Sequence, residues 1–347
     1  MAPRHSPAVL AADSIGTEDR AVFAVNRSAP HKSTLSDGLP LETIACPQCG
    51  GKSFSKIVQR VDGLDIVGCD TCELAYLNPR PVREAIDKLY DVGYYSAASS
   101  TGVGYSLYAT EPTTIRIYPP FGWDFLKANI NLAGTRTLDI GCAFGRMVYW
   151  MRKSGARATG IDLNPEGVGV GRHSLRLDLR VTSLEALDEP RESFDVITMM
   201  DLIEHIADLD SFMKNVDRLL KPGGVVLVQT PNFGTFHTYA EKSAQIYVSL
   251  EHLLYFEQRT MDRLFARYGM QPATRTRVLC TAPADVDGFL KATRASDDSS
   301  LRRALRAMPG ALMLRTLRAR IHPYRARFPE DETQRLGNVL LGLYRKL

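Results

Sequence analysis

Apolar positions in the middle of the chain alternate between short buried-strand runs and stretches with helical spacing, the pattern of an α/β layer structure. Thr137 to Ile140 reads as a strand, Gly141 to Gly145 as a tight turn, and Arg146 to Ser154 as a helix with Val148 and Met151 inward. Further strands are expected at Ala158 to Ile161, Leu179 to Val181 and Phe194 to Met200, and a fifth begins at Val225 to Val228. Between the last two, Asp208 suits the N-cap of a helix that recurs through Phe212, Val216, Leu219 and Leu220 and stops at Lys221-Pro222-Gly223-Gly224. A helix over Met261 to Tyr268 follows, then strand-like runs at Thr274 to Cys280 and Val286 to Arg294.

The two ends differ from this core. Residues 1–40 are rich in Ala, Ser and Pro without a long apolar stretch, so disorder is expected and neither a signal peptide nor an anchor is. No run reaches the roughly 18 apolar residues of a membrane helix, and a cytoplasmic protein is expected. At 347 residues and 44% apolar content the chain is long enough for one large core and a smaller module. Five segments follow: 1–40, a metal module at 41–77, a helical, Tyr-rich connector at 78–120, the α/β core at 121–295, and a basic tail at 296–347. Leu301 to Leu347 carries a local charge of +8 although the whole chain is only +4. Leu301, Leu305, Met308, Leu312, Met313, Leu317 and Ile321 interleave with arginines there, as in amphipathic helices. Such a tail suits a phosphate-bearing or carrier-bound substrate, RNA, an anionic surface, or simple packing against the core or a second subunit.

The metal module is Cys46-Pro47-Gln48-Cys49 and Cys69-Asp70-Thr71-Cys72, two Cys-x-x-Cys knuckles nineteen residues apart. That spacing brings four thiolates to one tetrahedron around structural Zn2+, in a zinc ribbon. Disulfides fit poorly with the absence of an export signal, and a redox dithiol needs no matched second copy. Cys142 and Cys280 stand alone and read as small packed residues.

The sequence Leu138-Asp139-Ile140-Gly141-Cys142-Ala143-Phe144-Gly145, followed by Ile161-Asp162, points to a small-molecule pocket. An acid at the tip of the second strand is placed to accept both hydroxyls of a ribose. The turn lacks the Gly-x-Gly-x-x-Gly spacing of a dinucleotide site, so the expected ligand is a nucleoside. At these residues the chain resembles the class I S-adenosylmethionine-dependent methyltransferases, whose first motif has glycine where Ala143 stands. The Phe194-Asp195-x-Ile197 and Leu220-x-Pro222-Gly223-Gly224 series extends the resemblance from about Phe121 to Arg294.

The resemblance implies a Rossmann-like, seven-stranded, mostly parallel sheet with helices on both faces, closed by antiparallel strands at Thr274 to Cys280 and Val286 to Arg294. It implies S-adenosyl-L-methionine as methyl donor, with Asp139, Gly141, Cys142 and Gly145 around the methionine part, Asp162 on the ribose and Leu163 on the adenine. Where the family usually offers an acid to the adenine amino group this chain has Thr182-Ser183-Leu184, so Ser183 or the Leu184 amide must substitute, while Met200 and Asp201 approach from the far side. The ribbon followed by Leu77-Asn78-Pro79-Arg80-Pro81, Leu89-Tyr90 and Tyr94-Tyr95 resembles bacterial methyltransferases of sugars and specialised metabolites. In those the amino-terminal module helps to cover the active site.

For a hydroxyl acceptor, a group must take up a proton. His252, in Glu251-His252-Leu253-Leu254-Tyr255-Phe256, is the first candidate, and it also suits a role in orienting its loop. His205, in the loop after the fourth strand, is the second, and His237 a lesser one. The expected activity is methyl transfer to a small molecule: a sugar, a nucleotide-linked sugar or a natural-product scaffold. An RNA methyltransferase is the second reading and a donor-binding interaction protein the third. Lys52, Lys56 and Arg60 in the ribbon are matched by Asp62, Asp65 and Asp70, which argues against nucleic acid.

Overall fold

The computed structural model describes residues 39–60, 62–87, 115–116, 119–234, 251–279 and 339–347. In chain order the elements are β1 (Leu41–Glu42), β2 (Phe54–Gln59), β3 (Asp65–Cys69), β4 (Ala75–Leu77), β5 (Arg80–Pro81), α1 (Arg83–Asp87), α2 (Trp123–Asn129) and β6 (Arg136–Ile140). Then come α3 (Arg146–Lys153), β7 (Arg157–Asp162), α4 (Pro165–Leu175), β8 (Asp178–Val181), β9 (Phe194–Met200), α5 (Leu209–Leu219) and β10 (Leu220–Pro231). The last are β11 (Leu254–Tyr255), α6 (Gln258–Arg267), β12 (Met270–Pro272), β13 (Arg277–Leu279) and β14 (Val339–Lys346).

The main sheet has the order β12-β14-β10-β9-β6-β7-β8, with β13 also paired to β14. Strands β6 to β10 run parallel, and β14 lies antiparallel to β10, β12 and β13. This is the Rossmann-like sheet expected from the sequence. Its central strands are apolar on both faces because both are covered. Leu138, Ile140, Ile197, Met199, Val226 and Val228 face α5, α6 and the ribbon, whereas Val196, Val225, Leu227 and Leu341 face α2, α3 and α4. Helix α5 follows the expected spacing, burying Leu209, Phe212, Met213, Val216 and Leu219, with the Asp208 side chain accepting from the Ser211 amide.

The closing strand differs from expectation. Val339–Lys346, read in the sequence as the end of a helical tail, pairs along β10 from Val225↔Arg345 to Pro231↔Val339. The cause is its continuous apolar run, buried from Val339 to Tyr344. Tyr344 stacks on Phe265 of α6 at 3.8 Å between ring centroids, and its hydroxyl donates to Asp262 Oδ1 at 2.6 Å. Lys346 Nζ donates to the carbonyl oxygens of Asp217 (2.6 Å) and Leu220 (3.1 Å) at the end of α5, so this cation is used in packing. Residues 1–38, the tyrosines at 90, 94 and 95, His237, Cys280, the run at 286–294 and the apolar positions at 301–321 lie outside the described residues. Among the described residues no helix is long and apolar enough to cross a membrane.

Strands β2, β3 and β4 form a small antiparallel sheet whose fourth member is β11, from the core side of the chain. Leu74, Tyr76 and Leu77 share one apolar cluster with Leu253, Leu254, Phe256 and Met261. Arg263 Nη1 reaches the Cys72 carbonyl at 3.0 Å, and Arg80 Nη1 the Ala207 carbonyl at 2.7 Å. The ribbon is thus built into the molecule. Arg60 and Asp62, which the sequence suggests are surface charges, form an ion pair at 2.6 Å with side chains only 1% and 3% exposed.

Candidate functional site

The order of strand addition reverses between the parallel neighbours β6 and β9: from β6 the sheet extends through β7 to β8 on one side, and β9 begins the other half. A crevice opens beyond the carboxyl ends of strands at such a switch point. The turn that lines it is backbone in the left-handed region at Gly141 (φ 73°), Ala143 (φ 47°) and Gly145 (φ 84°). Ala143 holds this conformation without being glycine, and its amide donates to Asp162 Oδ2 at 2.8 Å. Asp162 Oδ1 accepts from the Asn164 amide at 2.8 Å, while the Asn164 side chain caps α4 through the amides of Glu166 and Gly167. The carboxylate at the β7 tip is therefore fixed by amides of two turns, the one after β6 and its own, before any ligand arrives.

Two glycines allow the close packing behind it. A Cβ on Gly145 would stand 2.6 Å from Leu177 Cδ1, and one on Gly171 of α4 would stand 2.5 Å from the Phe144 carbonyl oxygen. Both positions press α4 and β8 against the turn.

Asp139, 3% exposed, lies beside Thr198 across the β6–β9 pair, and Thr198 Oγ1 donates to its Oδ1 at 2.6 Å. Burial pushes the carboxyl up to about 7, with the Asp162 charge adding to the shift and the Thr198 hydrogen bond opposing it. The Cys142 thiol is pushed well up by burial and by the charges of Asp139 and Asp162, which makes it a packing group, as read from the sequence. Leu163 is 56% exposed at the tip of β7, and Val181, at the tip of the adjoining β8, is 48% exposed. Two large apolar side chains beside a fixed carboxylate fit the flat base and the sugar of a nucleoside. Val181 is the member that sequence reasoning missed; its only signal is the strand end opposite Asp162.

Ser183 Oγ accepts from the Ala186 amide at 3.2 Å, closing a local turn, and the Leu184 side chain is buried. Met200 lies next to Gly122 of the α2 approach, since a Cβ there would stand 3.3 Å from Met200 Cε. Asp201 (φ 48°) is exposed and accepts from Gln229 Nε2 at 2.7 Å.

On the β9–β10 side, the structure brings His205 and His252 together, with ring centroids 4.8 Å apart and planes at 80°. Beside them Glu204, unrecognised in the sequence, is 1% exposed. Thr230 Oγ1 donates to Glu204 Oε2 at 2.8 Å, and Oε1 is 3.8 Å from His205 Nε2. Burial, then the charge of Asp201, raises the Glu204 carboxyl well above the carboxylate range. His205 is held down to about 4 by burial, against a hydrogen bond to the Glu251 backbone, so it is neutral at pH 7. The His252 carbonyl accepts from Arg60 Nη1 (3.1 Å) and the Tyr255 hydroxyl (3.0 Å), and the Leu253 amide donates to the Glu204 carbonyl at 2.8 Å. The segment carrying His252 thus joins the ribbon to the crevice.

In the ribbon, Cys46, Cys49, Cys69 and Cys72 place their sulfurs within 4.8 Å of one another, with the Cys46–Cys72 and Cys49–Cys69 pairs at 3.5 Å. Those separations are far beyond a disulfide bond and close to the ~3.8 Å between ligands of a tetrahedral thiolate zinc site. The Gly51 amide donates to Cys49 Sγ at 3.4 Å. The donor set fits zinc.

Residues 121–274 match the model of a family described as a methyltransferase domain. A ubiquinone biosynthesis O-methyltransferase of Xanthomonas oryzae pv. oryzae (strain PXO99A) is 41% identical over 119 residues, 33% of this chain and 50% of the relative. The enzyme of that name from Sinorhizobium medicae (strain WSM419) is 38% identical over 122 residues, 34% and 49% of the two chains. The chain thus spans about half the length of the curated relatives it matches. An S-adenosylmethionine dependent methyltransferase structure from Mesorhizobium loti aligns with a TM-score of 0.44 at 16% identity, covering 65% of this chain and 97% of the other.

Proposed function

We propose that this chain, whose residues 121–274 carry a methyltransferase domain, transfers a methyl group from S-adenosyl-L-methionine to a small-molecule acceptor. The observation that carries the reading is the prearranged Asp162 carboxylate beside exposed Leu163 and Val181 at the switch point of the sheet. Asp162 would hold the ribose hydroxyls, Leu163 and Val181 the adenine, and the Gly141–Gly145 turn the methionine moiety, with Asp139 behind it and Met200 and Asp201 facing it. When bound, the donor supplies a sulfonium-activated methyl. The protein's part is to orient an acceptor atom in line at about 3 Å and to exclude water.

The finer reading is O-methylation of a sugar, a nucleotide-linked sugar or a natural-product scaffold, with His252 taking the hydroxyl proton. The identity to enzymes named O-methyltransferases supports oxygen as the acceptor atom. His205, neutral at pH 7, would orient the pair. Four ribbon cysteines would hold a structural zinc, leaving no open position for catalysis. The burial of Arg60 with Asp62 leaves the ribbon fewer outward charges for RNA.

Incubation with methyl-labelled donor and pools of hydroxylated small molecules tests this. Label in a small-molecule product, lost in His252→Ala with donor affinity kept, is the expected result. Label found only in RNA or protein overturns the acceptor class, and full turnover by His252→Ala overturns the base.

A further inference from the structure

We propose that Arg60 of the ribbon is the positioning residue for the His252 imidazole, a role that rests on His252 as the proton acceptor of the reading above. Arg60 stands 192 residues before His252, yet its Nη1 donates to the His252 carbonyl at 3.1 Å and to the Tyr255 hydroxyl oxygen at 2.9 Å. Tyr255 in turn donates to the same carbonyl at 3.0 Å. The other edge of the guanidinium, Nε and Nη2, is bidentate on Asp62 at 3.2 and 2.6 Å. The planar fork ties the ribbon to one backbone carbonyl in an orientation that its own rigidity sets.

That carbonyl belongs to the peptide plane between His252 and Leu253, and the plane is held at both edges. Its oxygen accepts from Arg60 and Tyr255, and its amide donates to the Glu204 carbonyl at 2.8 Å. Further along, the Leu253 carbonyl accepts from the Leu77 amide at 2.9 Å, and Leu254 and Tyr255 pair with Tyr76 and Ala75. With this backbone fixed, two side-chain torsions place the imidazole. The Glu204 carbonyl precedes His205 in the chain, so the same plane sets the approach of the two rings, 4.8 Å apart at 80°.

A buried ion pair adds little net stability over apolar groups of the same volume, so the distinctive contribution of Arg60 with Asp62, 1% and 3% exposed, is geometry. The Arg60 amide closes the hairpin turn on the Leu64 carbonyl at 2.8 Å, and the Leu64 amide donates to Asp62 Oδ1 at 3.2 Å. Strands β2 and β3 pair from Phe54↔Cys69, at the cysteine end, to Gln59↔Asp65, next to Arg60. The hairpin is a strut with its cysteines at one end and the His252 carbonyl at the other. The segment at 251–256 runs beside the end of β10 through the bridge Asn232↔Phe256, whereas Gly141 and Asp162 stand at the tips of β6 and β7. Arg60 acts on the acceptor side of the crevice and leaves the donor side to its own turns.

The test compares Arg60→Lys and Tyr255→Phe with the unsubstituted full chain, each with its ribbon metal in place. Lysine keeps a cation for Asp62, but one ammonium cannot span Asp62, the His252 carbonyl and the Tyr255 hydroxyl in a single plane. In histidine-labelled NMR the ring-to-ring cross-peak of His205 and His252 should be lost in Arg60→Lys. For the acceptor found by methyl labelling, kcat should fall roughly 10–100-fold while donor affinity is unchanged. Tyr255→Phe, which removes one of the two donors to the carbonyl, should show a smaller change of the same kind, and it carries the test if Arg60→Lys does not fold. An unchanged cross-peak or an unchanged kcat overturns the proposal, and so does a fall in donor affinity equal to that in kcat, which marks a merely structural role. If the cross-peak is lost as expected but no form of the protein transfers methyl groups, the function proposed above fails while the placement of the imidazole by Arg60 stands.

Discussion

Replacing Asp139 by Asn removes a buried carboxylate but keeps an acceptor for the Thr198 hydroxyl, so it isolates the charge. The carboxyl stands at about 7 in the folded chain, against about 3.9 in an unfolded one. Between those values the folded state binds more protons than the unfolded state, so Asp139 makes stability fall as pH rises, until it is ionised in both above about 7. At about 1.36 kcal/mol per unit, two units from pH 5 to pH 7 amount to roughly 2–3 kcal/mol. Asn does not titrate. The stability of Asp139→Asn minus that of the unsubstituted chain should therefore widen by roughly 2–3 kcal/mol in the variant's favour between pH 5 and pH 8. Urea unfolding at the two pH values, compared at equal m, measures the difference. A gap that stays constant or narrows refutes the reasoning. The same linkage predicts that the cationic donor, which favours ionised Asp139, binds the unsubstituted chain more tightly at pH 8 than at pH 5, and that the Asn variant loses this dependence.

Replacing both Cys46 and Cys49 by Ser should remove one zinc per chain in native mass spectrometry and lower the unfolding midpoint, because Leu74, Tyr76 and Leu77 share a core with Met261 and Phe256; a variant that keeps its zinc would exclude the cysteine site. Arg60→Ala should cost about 3–5 kcal/mol in urea unfolding, since it leaves Asp62 buried without its cation, whereas a loss below 1 kcal/mol would contradict the burial of this pair.

The turn and its neighbours were legible in the sequence because their conformations are dictated locally. Gly141 and Gly145 need positive φ, Asp208 caps α5, and Phe194–Met200 is a short run whose consecutive β-branched Val196, Ile197 and Thr198 favour a covered strand. The cysteine spacing was equally local. The closing strand was not legible. Val339 to Leu343 is an apolar run that fits a buried helix turn as well as a strand, and its partner β10 lies more than a hundred residues earlier. The two-residue pairing of Leu254–Tyr255 with β4 carries no periodicity at all. Charge was misleading where it is buried: Arg60 and Asp62 look like solvated ribbon residues, and Glu204 looks like a loop acid. Only the packing of the ribbon against the segment at 251–256 shows that these groups are interior.

Methyl-donor binding by the Gly141–Gly145 turn and Asp162 underlies the whole proposed activity. Isothermal titration of the full chain with S-adenosyl-L-methionine, beside Asp162→Ala, tests it most directly. One donor per chain is predicted, with affinity weakened in the variant by about 1–3 kcal/mol through the lost ribose hydrogen bonds. Absence of binding, or equal affinity in the two proteins, would contradict it.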